Sequence, residues 1–420
     1  MHVALVILGT RGDIQPFLAL GRELVSRGHT VTLAAPGDHR ELIAEARLDH
    51  RELPVSPAAY FAHPAFTEAI RKGASFVRAV RQVPRLSTME MRNLASQVAV
   101  ATEGADLIVN GLLCRVGMDA VNGPPWATVS FWPVHPTTRW PALFAPRLPL
   151  GRVYNRLTHT LSGLLDYAMF RPHARVMRTP PPRLGAPYGE AGRMVPMLLP
   201  VTPAMWSGKS DWPAETHLTG YWFLDRDWTP PAALADFLDR GTPPITLSFG
   251  SVWPVHRPGE TMARVLDVVR SHGKRMVMVG DGPDEVPDDV FRIDDVHYPW
   301  LLERSAAIIH HGGANTTGEA LRAGIPQVTV PAFGDCPFWG AQLHRLGVAA
   351  KPVPFRKFTA ERLGDALAVV LHDESVRRRA IEISEVVSAE NGPANAVRIL
   401  EDWVARAPRI RSISTPPQVM

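Results

Sequence analysis

The 420-residue chain has little of several features that mark large protein classes. It contains two cysteines, Cys114 and Cys336, too far apart in sequence for a disulfide framework or a metal-ligand spacing. We therefore expect a reducing compartment, the cytoplasm. Only 20% of the residues are charged, too few for a disordered chain. The balance of 45 basic and 41 acidic residues leaves a net charge of +4, which predicts no nucleic-acid partner.

Long apolar runs are also missing. No stretch approaches the ~20 apolar residues that cross a bilayer, so no stable membrane insertion is predicted. The first residues, MHVALVILGTRGD, have no basic region before their short apolar run and soon reach Arg11 and Asp13. This pattern is not that of a secretory signal.

The chain does have strands and helices in alternation. A buried strand at 3–8, a loop at 9–13, a helix at 14–27 and a strand at 31–35 form one βαβ unit. A second series begins with a strand at 245–249 and a helix at 261–272. Further strands are predicted at 107–109, 127–131, 275–279, 306–309 and 327–330. Two such series predict an α/β protein with two Rossmann-like, doubly wound domains that face a cleft.

We divide the chain by these series. Residues 1–225 are predicted to form an N-terminal domain and 226–385 a C-terminal domain, with about 180–235 partly irregular. A last helical stretch at about 375–405 suggests that 386–407 packs back on the N-terminal lobe. Residues 408–420 are rich in Pro and Ser and are expected to be a flexible tail.

The strongest local signal follows the strand at 306–309 and opens a helix. It combines glycines, hydroxyl groups, an imidazole and a carboxylate, in His311, Gly313, Asn315, Thr316, Thr317 and Glu319. Backbone amides at such a helix start bind anions. Glu319 lies about two turns into this segment, where its carboxylate could bind both hydroxyls of a ribose. The alternative is a tight turn whose threonines cap the helix.

This stretch resembles the nucleotide-sugar signature of family 1 glycosyltransferases. The resemblance continues through AGIPQ at 323–327 and PAFGDCPFWG at 331–340, and the loop GTRGD at 9–13 matches the other end. It is closest to the bacterial antibiotic and sterol glucosyltransferase-like branch. It implies the GT-B fold, inversion at the anomeric carbon, and no metal or other cofactor beyond the sugar donor.

The resemblance also assigns roles. Asp13, in a loop with Thr10, Arg11 and Gly12, matches the base that deprotonates the acceptor; without the resemblance, a helix N-cap is an equally good interpretation. The matched diphosphate positions are Ser251, His311, Gly313, Asn315, Thr316 and Thr317. The matched nucleoside positions are Val296, His297 and Glu319, with Trp300 a possible neighbour or a core residue.

The resemblance also implies that Asp335 binds hydroxyls of the donated sugar. The family usually has Gln at the next position, but this chain has Cys336, and a thiol is a poor partner for a sugar hydroxyl. This departure favours a deoxygenated or modified hexose over glucose. Glu319 suits a ribose with two hydroxyls, which favours UDP over dTDP and leaves dTDP open.

The acceptor is expected to bind in the N-terminal lobe, where aromatic residues accumulate. Candidate contacts are Phe61, Phe131, Trp132, His135 and Phe144. Ordinary core packing is the alternative for each aromatic residue, and a solvent-facing loop is the alternative for His135. The predicted partner is a small apolar acceptor such as a polyketide or macrolide, with a sterol or lipid as alternative. The predicted oligomeric state is a monomer or a homodimer.

Other functions fit less well. The opening loop lacks the G-x-G-x-x-G of a dinucleotide-dependent oxidoreductase. Asp225 and Asp227 form an Asp-x-Asp, but in a Trp-rich connection that is unsuited to a metal-dependent transferase. A non-catalytic activator of a partner glycosyltransferase would have lost donor residues, whereas Asp13, His311, Glu319 and Asp335 are all present.

Overall fold

In this computed structural model, two parallel sheets organise the described residues, which are 1–72, 78–79, 82–83, 87–114, 124–143, 145–146, 148–176, 189–190, 193–206, 211–250, 258–280, 282–283 and 285–406. The first sheet has the strand order β3-β2-β1-β4-β5-β8-β9, and the second has β12-β11-β10-β13-β14. All neighbouring strands within both sheets are parallel. The strands are β1 His2–Val6, β2 Thr30–Pro36, β3 Asp49–Leu53, β4 Leu107–Gly111, β5 Trp126–Val129, β6 Gly189–Glu190, β7 Arg193–Met194, β8 Met197–Leu199, β9 Thr216–Leu218, β10 Ile245–Ser248, β11 Met276–Val279, β12 Val290–Ile293, β13 Ala307–His310 and β14 Gln327–Thr329.

Helices connect these strands. They are α1 Arg11–Ser26, α2 Arg40–Glu45, α3 Pro57–Ala62, α4 Pro64–Arg71, α5 Thr88–Ala101, α6 Gly151–Val176, α7 Ala232–Asp239, α8 Pro258–Ser271, α9 Tyr298–Leu302, α10 Ala314–Arg322, α11 Cys336–Leu346, α12 Ala360–His372, α13 Glu374–Ala389 and α14 Gly392–Arg406. The central strands β1, β4, β10 and β13 are buried along almost their whole length. Their mostly apolar composition is the pattern of strands covered on both faces.

Each sheet has a switch point, where the strand order changes direction. In the first sheet it lies between β1 and β4, and in the second between β10 and β13. In open α/β sheets, ligands bind outside the carboxyl ends of the strands at such points. The loop after β1 leads into Asp13, and the loops after β10 and β13 carry Gly250 and His311.

The structure corrects the prediction for the middle of the chain. Within the stretch predicted to be partly irregular, β8 and β9 extend the first sheet as two further parallel strands. These strands are only three residues long, too short to give a clear sequence pattern. The 26-residue helix α6 was not predicted either. The single helical stretch expected at about 375–405 is two helices, α13 and α14, separated at Glu390 and Asn391.

The chain crosses between the lobes twice, and the two crossings touch. After β9 the chain passes Gly220 toward the second sheet, and after α13 it returns through Gly392 to α14, which packs on α1. A Cβ on Gly392 would lie 2.2 Å from the backbone oxygen of Tyr221. The Asn395 amide donates a hydrogen bond to the Thr219 carbonyl at 3.0 Å. The two crossings therefore form one close backbone contact that only glycine permits.

Candidate active site between the two lobes

Asp13 is held by the turn that starts α1. The helix begins at Arg11 with Thr10 as its N-cap, so Asp13 is the third helical residue, and the N-cap alternative is wrong in position. Asp13 Oδ2 accepts hydrogen bonds from the Thr10 backbone N–H at 2.8 Å and its hydroxyl at 3.2 Å. A Cβ on Gly9 would lie 2.3 Å from Asp13 Cβ, so this turn requires glycine.

Burial changes the chemistry of this carboxyl group. Desolvation raises the pKa of Asp13 to about 6, against the lowering effect of the Thr10 hydrogen bonds. Both hydrogen bonds shown for Asp13 go to Oδ2, which leaves Oδ1 for a ligand hydroxyl. A carboxylate with a pKa near 6 is a stronger base than an exposed aspartate and is still ionised at neutral pH.

The turn after β13 places two histidines in different surroundings. His310 is fully buried; its Nε2 lies 3.0 Å from Gln327 Oε1, and its Nδ1 accepts from the Gly312 N–H. Burial lowers the pKa of His310 to about 4, so its ring is neutral. The His311 ring lies between two glycines. A Cβ on Gly313 would lie 2.3 Å from its Nε2, and one on Gly250 would lie 3.3 Å from its Cε1.

The other diphosphate positions surround the start of α10. Thr316 is partly exposed, whereas Thr317 is fully buried with no hydrogen-bond partner for its hydroxyl among the described residues. The Asn315 side-chain amide donates to Gln15 Oε1 at 3.1 Å, so α10 of the second lobe meets α1 of the first. Ser251, also predicted here, lies outside the described residues.

The donor-sugar carboxylate lies next to this turn. Gly312, with φ of 90°, is so close to α11 that a Cβ would lie 3.0 Å from the Cys336 carbonyl oxygen. Asp335, which precedes α11, accepts a hydrogen bond from Trp339 Nε1 at 2.8 Å. Burial raises the pKa of Asp335 to about 6, and the Asp13 carboxylate adds to the increase. The structure therefore brings Asp13 and Asp335, from opposite lobes, into one electrostatic neighbourhood.

The predicted nucleoside residues lie around the end of β12 and on α10. Val296 is buried, and the His297 ring lies 6.3 Å from the Trp228 ring. Trp300 packs on Trp228 at 5.4 Å and stays partly exposed. Glu319 Oε2 is buried without a hydrogen-bond partner among the described residues. Burial raises the pKa of Glu319 to about 7.

Charged contacts close the cleft beside these residues. Arg11 of the opening loop forms an ion pair with Asp295 at 2.6 Å, and Arg226 forms another with the same carboxylate at 2.6 Å. Gly12 lies close to α10, because a Cβ there would be 4.0 Å from Asn315 Cβ. Sequence reasoning missed Gln15 and Asp295, since neither lies in a motif and both are placed only by the meeting of the lobes.

The predicted acceptor residues have mixed positions. Phe131 is nearly buried in the core of the first lobe, and Trp132 packs partly exposed against the same core. His135 is buried, with its Nδ1 2.5 Å from the Thr216 hydroxyl, so the alternative of a solvent-facing histidine is wrong. Burial lowers the pKa of His135 to about 4. The Phe61 side chain and Phe144 lie outside the described part of the structure.

Two aromatic contacts that were not predicted from the sequence lie beside residues 331–335. Phe66 on α4 meets Phe333 edge-to-face at 5.4 Å, two residues before Asp335. Trp206 of the first lobe meets Trp339 of α11 at 6.1 Å. The spacing of Asp335 and Trp339, four residues apart at a helix start, could have indicated their contact. Apolar walls thus contact the carboxylate region from the first lobe.

The described ranges contain neither a cluster of metal ligands nor a membrane-spanning helix. Within them, no three His, Cys, Asp or Glu side chains lie close enough to share a metal ion. None of the described helices is long and apolar enough to cross a bilayer. Cys114 and Cys336 are both free thiols.

Comparison with known proteins identifies the family. Residues 3–113 match the glycosyltransferase family 28 N-terminal domain, and 273–403 match the erythromycin biosynthesis protein CIII-like C-terminal domain. The chain is 37% identical to O-mycaminosyltylonolide 6-deoxyallosyltransferase of Streptomyces fradiae, over 96% of this chain and 97% of the relative.

Solved structures agree with this fold. The kitacinnamycin glycosyltransferase superposes with a TM-score of 0.66 at 21% identity, covering 96% of this chain and 99% of that one. Glycosyltransferase VinC, solved in complex with dTDP, gives 0.62 at 19% identity over 97% and 100%. Two parallel-sheet lobes, the matched domains and the Streptomyces relative together show that this chain belongs to the GT-B glycosyltransferases of the antibiotic type.

Proposed function

We propose that this enzyme transfers a deoxyhexose from a nucleoside diphosphate to a hydroxyl of an apolar natural product such as a macrolide, with inversion and without a metal. One observation carries the proposal. Two carboxyl groups with raised pKa values, Asp13 and Asp335, approach one another from opposite lobes beside His311 and the start of α10. This is the arrangement that a base and a sugar-binding carboxylate need.

The mechanism follows from these positions. Asp13 Oδ1 takes the proton of the acceptor hydroxyl as that oxygen attacks the anomeric carbon. The bond from that carbon to the diphosphate oxygen breaks, and its electron pair leaves with the nucleoside diphosphate. Backbone amides at the start of α10 and an N–H of His311 stabilise the growing charge. Closure through the ion pair of Arg11 with Asp295 excludes water, which would hydrolyse the donor.

Two observations support a deoxyhexose as the donated sugar. Cys336 offers a thiol where the resembled family has an amide, so one hydrogen bond to a sugar hydroxyl is lost. The Streptomyces relative is named for transfer of a 6-deoxyallosyl group. A sugar that lacks a hydroxyl loses little at such a site, whereas glucose leaves a polar group without a partner.

The nucleotide has two candidates, each with its own support. Glu319 has a buried oxygen without a partner among the described residues, which suits the two hydroxyls of the ribose in UDP. VinC binds dTDP in a structure of the same fold. A thermal-shift panel of UDP, dTDP and their sugars separates them, because the bound nucleotide raises the midpoint of unfolding by mass action.

Two observations support an apolar acceptor bound near residues 331–335. Phe333, in contact with Phe66, lies two residues before Asp335, and the relative's name gives O-mycaminosyltylonolide as its acceptor. Both cysteines are free, which fits action in the reducing cytoplasm. A panel of macrolide aglycones, aromatic polyketides and sterols, assayed with the nucleotide sugar that shifts the midpoint, tests this choice.

The deciding experiment measures transfer and donor hydrolysis together. We expect a glycosylated macrolide with inverted anomeric configuration, formed in the presence of EDTA, and slow release of nucleoside diphosphate without acceptor. A protein that binds the nucleotide and yet releases none, with or without acceptors, would be an activator of another transferase. Transfer that stops in EDTA and returns with added metal ion would contradict the metal-independent mechanism.

A further inference from the structure

Asp335 has an unusual hydrogen bond at the start of α11. An aspartate that precedes a helix usually accepts from the backbone N–H of the second or third helical residue. Asp335 is the N-cap of α11, yet its side chain makes no such bond. The second residue, Pro337, has no N–H, and the N–H of the third, Phe338, donates to the Asp335 carbonyl at 2.8 Å. Trp339 Nε1 donates to Asp335 Oδ2 instead, so an indole holds this carboxylate.

A tryptophan of the first lobe packs against that indole. Trp206 follows the short 3-10 turn at Pro203–Met205, between β8 and β9 of the first sheet. Its ring meets the Trp339 ring at 84°, with 6.1 Å between the ring centroids. Trp339 is fully buried. In an edge-to-face pair the positive edge of one ring attracts the negative face of the other, so this contact restricts the plane of the Trp339 indole.

Trp206 is held by ring contacts. The centroids of Trp140 and Trp212 lie 6.5 Å and 5.6 Å from its own, and 5.6 Å from each other. Its Nε1 is buried and has no hydrogen-bond partner among the described residues. A buried donor without a partner destabilises a fold, and such departures from local rules are expected at functional sites. The position of Trp206 therefore indicates a role for its ring.

The bond from Trp339 also acts on the charge of Asp335. Burial raises the pKa of Asp335 to about 6, and the indole N–H acts in the opposite direction. The titratable neighbours are Asp13 on α1, Cys336 on α11, and His310 and His311 in the adjoining turn. Asp13 adds to the increase, whereas burial keeps the Cys336 thiol and the His310 ring neutral. Without the indole N–H, Asp335 should therefore stay protonated to a higher pH, and a protonated carboxyl group is a weaker acceptor for a sugar hydroxyl.

We propose that Trp206 is a positioning residue for recognition of the donor sugar. Through its contact with Trp339 it directs the indole N–H onto one oxygen of Asp335, which leaves the other oxygen for a hydroxyl of the sugar. The first lobe thus contributes to recognition of a donor that binds to the second. This inference rests on the proposed function, in which Asp335 binds the donated sugar.

The test isolates the sugar from the nucleotide. Calorimetry from mild acid to about pH 8 gives the ratio of the dissociation constant of the nucleoside diphosphate to that of its sugar. Trp206→Leu loses the edge-to-face contact, so at neutral pH this ratio should fall about fivefold, and its acid limb should move to higher pH. Trp206→Phe retains an aromatic edge and should recover most of the ratio. Trp339→Phe removes the N–H itself and should lower the ratio about tenfold or more.

Controls separate this role from general packing. Nucleoside diphosphate alone should bind all three variants with wild-type affinity, and circular dichroism reports their folding. Trp403→Phe, on α14, changes another half-buried indole whose N–H has no partner among the described residues, and it should leave the ratio unchanged. A fall in Trp206→Leu with no shift of the acid limb and no recovery in Trp206→Phe would overturn the positioning role.

Asp335→Asn distinguishes failure of this inference from failure of the proposed function. If Asp335→Asn leaves the ratio unchanged, Asp335 does not bind the sugar and the proposed function loses its sugar site. If Asp335→Asn lowers the ratio while Trp206→Leu matches the wild type, the role of Trp206 alone is overturned.

Discussion

At the scale of single residues, the site depends on burial more than on residue identity. Asp13, Glu319 and Asp335 are ordinary carboxylates in the sequence, and the structure gives each a raised pKa through desolvation. His310 and His311 are adjacent, yet one is a neutral buried partner of Gln327 and the other lies against a glycine of the turn. The motif predicted which residues lie at the turn, but not that its two histidines have different neighbours. That difference depends on Gln327, seventeen positions from His310.

The base assignment predicts a specific loss in Asp13→Asn. The amide oxygen can still accept the Thr10 N–H, so α1 should form and nucleotide should bind with near wild-type affinity. Without a base, kcat should fall by about 10²–10⁴-fold. Steady-state kinetics and nucleotide titration measure the two effects. Transfer at the wild-type rate would remove Asp13 from the mechanism.

The same residue predicts the acid side of the pH profile. Asp13 acts as a base only when ionised, and burial raises its pKa to about 6. We therefore expect kcat/KM for the acceptor to rise about tenfold per pH unit below that pKa and to level off above it. A profile that stays flat down to about pH 4.5 would contradict this assignment.

Cys336 gives a prediction about donor choice. Cys336→Gln supplies the amide that the resembled family has at this position, and one added hydrogen bond contributes about 1 kcal/mol. The ratio of kcat/KM for a glucose donor to that for a deoxyhexose donor should rise roughly fivefold to tenfold. Cys336→Ser, which lacks the reach of Gln, is the control and should change the ratio little. Equal ratios in all three proteins would show that residue 336 does not select the sugar.

At the scale of elements, long periodic segments were predicted and short or atypical ones were not. The strands at β1, β2, β4, β10, β11 and β13 follow from short, mostly apolar runs. In contrast, β8 and β9 have three residues each and are defined by their place at the edge of the first sheet. Helix α6 escaped prediction because its apolar residues face solvent and its polar Asn155 and His159 face the lobe.

The close packing of the turn between β13 and α10 predicts that one added methyl group weakens nucleotide binding. In Gly313→Ala the new Cβ would lie 2.3 Å from His311 Nε2, so the ring must move out of the proposed diphosphate site. We expect the affinity for the nucleoside diphosphate to fall at least tenfold, measured by calorimetry. Gly364→Ala, inside α12, meets nothing closer than 3.9 Å and should bind normally. Normal binding by Gly313→Ala would remove this turn from the site.

At the scale of the whole molecule, the site lowers stability at neutral pH. Between its unfolded and its raised folded pKa, each buried carboxyl group binds more protons in the native state than in the unfolded state. Stability from Asp13 and Asp335 is therefore lost as pH rises from about 4 through 6, and that from Glu319 is lost through about 7. These three carboxyl groups should thus favour mild acid over pH 8, whereas the buried neutral rings of His135 and His310 act in the opposite direction as pH falls below about 6.5.

Replacing one of these carboxyl groups by a neutral side chain should remove its destabilising effect at high pH. Asp335→Asn should increase the free energy of unfolding at pH 8 by about 1–2 kcal/mol and change it little near pH 4. Urea denaturation at the two pH values measures the difference, with Asp402→Asn on α14 as the exposed control. An equal effect of Asp335→Asn at both pH values would show that ionisation of this group is not the cause.

The contact of the two lobe crossings limits how the cleft can open. Gly220 and Gly392 are in contact, so the two connections between the lobes are held together at one place. Neither lobe can therefore slide or twist freely past the other. We therefore expect the lobes to separate by a swing about that contact. In such a swing the parts of the cleft farthest from Gly220 and Gly392 open widest, and we expect the proposed bulky acceptor to enter there.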